Sequence, residues 1–197
     1  MDITIFKDIK QTSRPFFRNI NLVLTRIQDG ASKEIVKKIR AEKDKENRNI
    51  LKQKLPAICF SGKFSKRADN ALQEHSGYIC LDFDGYPSNR DMLQEKERLS
   101  KDKYIYTVFI SPSGNGLKAI VKIPPIVDNH KSYFVSLEKY YDSEYFDKTC
   151  KNVSRVCYES YDPLIHINAQ SSLWDKITEQ EYVEVNKHTD IPTIPIT

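Results

Sequence analysis

Two aspartates one residue apart, Asp82 and Asp84, close an apolar run that reads Gly77-Tyr78-Ile79-Cys80-Leu81-Asp82-Phe83-Asp84. Successive side chains of a strand point to opposite faces, so residues two apart share a side. Two carboxylates on one side of a strand end repel each other unless a cation lies between them. Carboxylate oxygens suit Mg2+ or Mn2+, and an ion held by a carboxylate pair commonly handles phosphate. The bland account is a turn, with Asp84-Gly85 closing the strand. Other segments have to decide.

The second feature is the run Ser111-Pro112-Ser113-Gly114-Asn115-Gly116, followed by Lys118. Ser111, Ser113, Gly114 and Gly116 offer hydroxyls and unencumbered backbone amides, and such a loop can cradle phosphate oxygens. Lys118 supplies a cation beside it. The run is not a P-loop, because no G-x-x-x-x-G-K-[S/T] is present. An ordinary hairpin turn uses the same residues. The third feature is a segment from Asp147 to Pro163 that carries Ser154, Arg155, Glu159 and Asp162. Arg155 can grip phosphate in a forked contact. Asp162 can complete a carboxylate trio with Asp82 and Asp84, with Asp147 as the alternative third acid and Glu159 as a further rival. An Asp before Pro is also an ordinary turn initiator.

The elements that must position these groups follow from patterning. Residues 2–9 predict a first strand, and Pro15-Phe16-Phe17 a break. Residues 19–27 read as a short helix closed by Asp29-Gly30. Ser32 can cap a helix running to about residue 53, with Ile35, Val36 and Ile39 inward. Residues 57–60 read as a strand, 69–75 as a helical turn and 78–83 as the aspartate strand. A charged helix over 89–101 precedes strands at 104–110 and 117–123. A helix over 131–141 carries aromatics whose simplest role is core packing. A strand is expected over 153–159. Strands mixed with helices, including a hairpin, indicate an α+β or mixed α/β fold. Residues 1–182 read as one domain. Residues 183–197, rich in Pro, Thr and Ile, read as a flexible linker or tail.

Composition sets the bounds. The chain has 197 residues, 39% hydrophobic and 29% charged, which suits a globular rather than a disordered protein. No apolar run approaches a membrane span, and no signal peptide is visible at the N-terminus. The four cysteines form no C-x-x-C pair and read as small buried residues of a reduced, cytoplasmic protein. The net charge of +4 permits a polyanionic partner. Basic residues concentrate between 33 and 54. Their simplest reading is a solvated helix face.

The order of motifs resembles the archaeo-eukaryotic primase superfamily. Leu81-Asp82-Phe83-Asp84 is similar to its hhhDhD motif. Ser113-Gly114-Asn115-Gly116-Leu117-Lys118 is similar to its S-G-x-G-x-H motif, with lysine where histidine is usual. Asp162 is the best match to its strand-end acid. Within the superfamily the chain looks closest to the VirE N-terminal-type domains of Bacteroidetes genomes, phages and mobile elements. The stretches that carry this likeness are Ile39-Arg40, Leu55-Pro56-Ala57, Ser61-Gly62, His75-Ser76-Gly77, Ser111 to Lys118, and Ser154 to Pro163.

The resemblance implies an RRM-like mixed or antiparallel sheet flanked by helices, with an N-terminal helical segment. It implies a DNA primase or primase-polymerase, a nucleotidyltransferase that uses Mg2+ or Mn2+. Its partners would be a single-stranded DNA template, nucleoside triphosphates and a replicative helicase module, in a bacterial or phage-infected cytoplasm. On that reading Asp82, Asp84 and Asp162 hold metal, while Ser111, Ser113, Gly114, Gly116, Lys118 and Arg155 bind nucleotide phosphates. Lys37, Lys38 and Arg40 would track template. A non-catalytic nucleic-acid-binding domain of a replication protein is the alternative, favoured by the missing histidine. A haloacid-dehalogenase-type phosphatase is a third reading. It rests on Asp82-Phe83-Asp84-Gly85 and lacks a later acid pair.

Overall fold

The computed structural model describes residues 1–177. The sequence-based tail at 183–197 lies outside the described residues. The first half runs β1 (Asp2–Phe6), β2 (Phe16–Asn19), α1 (Ile20–Asp29), α2 (Lys33–Ala41), α3 (Lys45–Lys52), β3 (Ala57–Cys59), β4 (Gly62–Phe64) and β5 (Leu72–His75). The second half runs β6 (Tyr78–Asp84), α4 (Asn89–Ser100), β7 (Ile105–Ile110), β8 (Gly116–Lys122), α5 (His130–Tyr141), β9 (Cys157–Tyr158) and β10 (His166–Ile167). The fold is α+β. The strands form two four-stranded sheets, β2-β1-β3-β9 and β10-β7-β8-β6, and a β4-β5 hairpin. Their pairings are antiparallel throughout.

The sheet that carries the aspartates is apolar on both faces, as a sheet between two layers must be. Ile79, Leu81 and Phe83 of β6 pack with Leu117, Ala119 and Val121 of β8 against Met92 and Leu99 of α4 and Phe134 and Leu137 of α5. The aromatics of α5 are therefore core. On the opposite face Ile120 and Phe109 meet Ile3, Ile58, Phe60 and the α1 residues Val23, Leu24 and Ile27. Tyr78 and Cys80 pack against the same cluster. Asp82 and Asp84 continue that face beyond the apolar part, at the end of β6.

Several element boundaries differ from the pattern-based reading. The expected helix over 32–53 is two helices, because Asp44 takes an extended conformation and its side chain accepts from Asn47 N, restarting the helix. Phe16–Asn19 is an edge strand rather than a break, and Pro15 just before it suits the start of an edge strand. Leu72–His75 pairs with β4 after a single 3-10 turn. Only Cys157–Tyr158 of the expected 153–159 strand joins a ladder. Residues 152–155 turn instead, held by Ser154 N and Oγ donating to Asp69 Oδ1 at 2.9 and 2.6 Å.

One buried polar pair ties β5 to α5. His75 and His130 are 6% and 2% exposed, with Nε2 and Nδ1 3.0 Å apart. Gly77 N donates to His75 Nδ1, so His75 carries its proton on Nε2 and donates to His130. Burial lowers both rings, His75 to about 4 and His130 to about 3. The unfolded chain binds these protons near pH 6.5. Stability is therefore full above about pH 6.5 and is lost as pH falls toward the depressed values. By pH 5 the expected loss is on the order of 2 kcal/mol per histidine. Denaturant titrations from pH 8 to 5 check this, and His130→Gln should flatten the profile.

Candidate metal and phosphate site

The site grows from strand register. Asp82 lies directly opposite Lys118 on β8, and Asp84 opposite Gly116. Directly opposed residues share a face, so Lys118 stands beside both acids. Its Nζ donates to Asp82 Oδ2. Burial opposes the lysine's charge most strongly, but the Asp82 carboxylate and the Cys157 and Cys80 thiols together raise the ammonium above its usual range.

The other edge of β6 carries the third acid. Asp84 N donates to Tyr145 O and Asp147 N to Asp82 O, each at 2.8 Å, around a bridge between Phe83 and Phe146. This short pairing brings Asp147 alongside Asp82. Acidic and thiol ligand atoms of Asp82, Asp147 and Cys150 lie within 4.8 Å of one another. Cys150 Sγ donates to Asp147 Oδ2 at 3.0 Å, and Thr149 N and Oγ1 donate to Oδ1 at 2.9 and 2.7 Å. Arg155 Nη2 lies 3.6 Å from Oδ2. Burial works against the Asp147 charge, but these hydrogen bonds and the guanidinium hold its carboxyl below the usual range. Burial and the Asp147 hydrogen bond push the Cys150 thiol up to about 12.

Asp84 sits at the solvent-facing rim, outside the tight Asp82–Asp147–Cys150 group. The protein crowded around its inner side, and then the Asp82 charge, push its carboxyl up to about 6, while Lys118 and Lys52 act against the shift. The approach of β8 to Asp84 requires glycine. A Cβ on Gly116 would lie 1.9 Å from Asp84 Oδ1 and 2.9 Å from Phe83 O. Gly116→Ala is expected to cost about 1–3 kcal/mol by overpacking and to weaken divalent-ion binding. Melting curves and calorimetric titration with Mn2+ check the two effects.

The loop after β7 turns tightly. Gly114, at φ 81°, donates its N–H to Ser111 O at 3.0 Å, and Ser111 N donates to Gly116 O at 2.8 Å. Ser113 is half-buried in this loop, and Ser111 Oγ is buried without a hydrogen-bond partner. Arg40 of α2 donates to Ser111 O and Tyr161 O at 3.2 and 2.8 Å and packs against Gly114. Lys52 of α3 is half-buried and feels Asp84, Asp82, Arg48 and Lys118; burial lowers its ammonium. The basic helical stretch is thus not solvated throughout, since Arg40 and Lys52 turn toward the site.

The structure brings Asp82, Asp84, Asp147, Gly116, Lys118 and Arg155 together. It draws Asp162 into other contacts. Asp162 is 2% exposed and accepts from Lys96 Nζ at 2.6 Å, Ile110 N at 2.9 Å and Leu164 N at 3.0 Å. Glu159 is equally occupied: Arg26 grips it at 2.8 and 3.1 Å, and Ser32 Oγ donates to it. Sequence reasoning passed over Cys150 and Lys52. The D-x-x-C spacing of Asp147 and Cys150 was legible, but no pattern announced the bridge that carries it to β6.

The residues suit a divalent ion. Asp82 Oδ1 is buried with no hydrogen-bond partner, and an orphaned buried carboxylate oxygen calls for a donor or a cation. Carboxylates from two separate segments offer hard oxygen ligands, and the rim at Asp84 is open to solvent.

This geometry defines an α+β protein with convergent carboxylates at the open edge of an antiparallel sheet. The chain belongs to the BT4734-like family, whose N-terminal domain matches residues 50–166 and so spans every acid of the site. No curated protein matches the chain. Among solved structures, the catalytic domain of primase Repb', crystallised in complex with initiator DNA, is similar at 12% identity and a TM-score of 0.42, covering 96% of this chain and 90% of that one. No described helix is long and apolar enough to cross a membrane.

Proposed function

We propose that the chain is the nucleotidyl-transfer domain of a primase-like replication protein, acting on a single-stranded DNA template. The observation that carries this reading is the row Lys118–Asp82–Asp147 across three adjacent segments, with Asp84 at its rim. The primase-type order of motifs along the sequence supports it as well. The finer assignment to the VirE N-terminal-type branch rests on those motifs alone.

Asp82, Asp84 and Asp147 would hold Mg2+ or Mn2+. The ion would supply charge neutralisation at the triphosphate and a lowered pKa at the attacking hydroxyl. In the reaction a 3′-hydroxyl attacks the α-phosphorus, a P–O bond forms, and pyrophosphate leaves with the electrons of the broken bond. The chain's own part is positioning. Lys118 neutralises one oxygen of Asp82, which keeps the acids together before substrate arrives. From the loop after β7, Ser113 and Gly116 would face the phosphates, whereas Gly114 N is already held by Ser111 O and the Ser111 hydroxyl is buried. Lys52 and Arg155 add positive charge where a triphosphate would lie.

A second reading is favoured by one observation. Lys118 Nζ already compensates Asp82, so the row is also stable as a charge pair in a non-catalytic nucleic-acid-binding domain. Incubation with single-stranded DNA, labelled ribo- or deoxynucleotides and Mn2+ or Mg2+ separates the two. Incorporation that is lost in Asp82→Ala supports the enzyme. DNA binding with no incorporation under either metal favours the binding module.

A further inference from the structure

We propose that Cys150 is a thiolate ligand of the cation held by Asp82 and Asp147, so that the site favours thiophilic divalent ions over Mg2+. This rests on the metal reading above and names a ligand that the carboxylate motifs do not contain. Cys150 is 3% exposed and belongs to the apolar cluster around Phe134 and Phe146, while its Sγ donates to the Asp147 carboxylate at 3.0 Å. It shares one oxygen, Asp147 Oδ2, with the Arg155 guanidinium at 3.6 Å. Asp82 pairs with Lys118 through Oδ2 and keeps Oδ1 buried without a hydrogen-bond partner, which leaves one oxygen of the cluster open to a cation.

The chemistry follows from the placement. A thiol and a carboxylate 3.0 Å apart, with Asp82 within 4.8 Å, set sulfur and oxygen ligand atoms side by side. A divalent ion that takes that place binds sulfur and oxygen together, and the thiol proton leaves to solvent. Carboxylate oxygens alone suit Mg2+ or Mn2+, whereas a thiolate shifts the preference toward Zn2+, Co2+ and Cd2+. Asp84, at the exposed rim, stays an oxygen ligand on the substrate side. The other thiols are placed differently: Cys80 and Cys157 lie together on the apolar face beneath Lys118, outside the ligand group.

The test titrates the purified chain with Co2+, Cd2+ and Mg2+ and reads both heat and the near-ultraviolet charge-transfer band of a metal–thiolate bond. The expected result is a saturable band in the wild type. Cys150→Ser should abolish it and weaken Cd2+ by about tenfold or more, with Mg2+ affinity little changed. Cys80→Ser should keep the band. X-ray absorption at the metal edge of the wild-type Cd2+ complex should find sulfur in the first shell, and it needs no variant to fold. Binding of Mg2+ and Cd2+ to Asp82 and Asp147 with no band and no sulfur overturns the Cys150 proposal and leaves the metal reading standing. A band that survives in Cys150→Ser also overturns it. A wild type that binds no divalent ion removes both.

Discussion

Asp147→Ala is expected to reduce nucleotide incorporation by about a thousandfold. A bound ion contributes several kcal/mol of charge stabilisation at the reacting phosphate, and each ~1.4 kcal/mol is a factor of ten in rate. Asp147 faces Asp82 through the bridge at Phe83 and Phe146, so its loss removes one wall of the cation site. The fold should tolerate the change, because Asp147 is only partly buried and its partners Thr149 and Arg155 reach solvent. Rates of labelled nucleotide incorporation, with Mn2+ titrations beside them, check this. Asp82→Ala should match or exceed the loss, and it should also lower the melting temperature, because Lys118 is then left buried without its partner. Unchanged incorporation in Asp147→Ala would remove this acid from the site.

Much of this arrangement was legible in the chain. The i,i+2 spacing put Asp82 and Asp84 on one face because side-chain alternation in a strand is strict. The hairpin around Ser111 to Gly116 made Lys118 their neighbour, since β7, β8 and β6 pair in register. Residues 19–27 were legible as a helix closed by Asp29-Gly30, and the helix runs over Ile20–Asp29, capped by the Asn19 side chain and ended by Gly30. The third acid was different. Asp162 had the better sequence context, at the end of an expected strand and before Pro163. That strand shrinks to two residues because Asp69 captures Ser154, a contact 85 residues apart in the chain. Asp147 reaches Asp82 through a single bridge, and so short a pairing leaves no periodicity to read.

The buried acids of this protein divide by the kind of cation that faces them. Glu159 meets the Arg26 guanidinium, whose two donors satisfy both of its oxygens. Asp162 meets Lys96 and two backbone amides. Asp82 meets Lys118 through one oxygen and keeps the other unsatisfied. Of these three buried acids, Asp82 alone keeps an oxygen open to a further donor or cation. Asp147, which lies outside the core, would give up its Cys150 contact to an ion instead.

Asp162→Ala is accordingly expected to act on stability first, lowering it by about 3–5 kcal/mol, the usual cost of breaking a buried ion pair from one side. Lys96 is 8% exposed and would keep only the Leu164 carbonyl, at 2.7 Å, as a partner. Ile110 N would lose its acceptor just before the Ser111–Gly116 loop. For a domain of this size the melting temperature should fall by on the order of 10 °C. Incorporation should fall only as far as the folded fraction does. The pair can be replaced from both sides, since an apolar substitute of similar volume often recovers 1–4 kcal/mol, on the order of what the break removes. The double variant Lys96→Met with Asp162→Leu should therefore regain most of the melting temperature and, with it, nucleotide incorporation. A double variant that is folded, binds Mn2+ and incorporates nothing would return Asp162 to the chemistry.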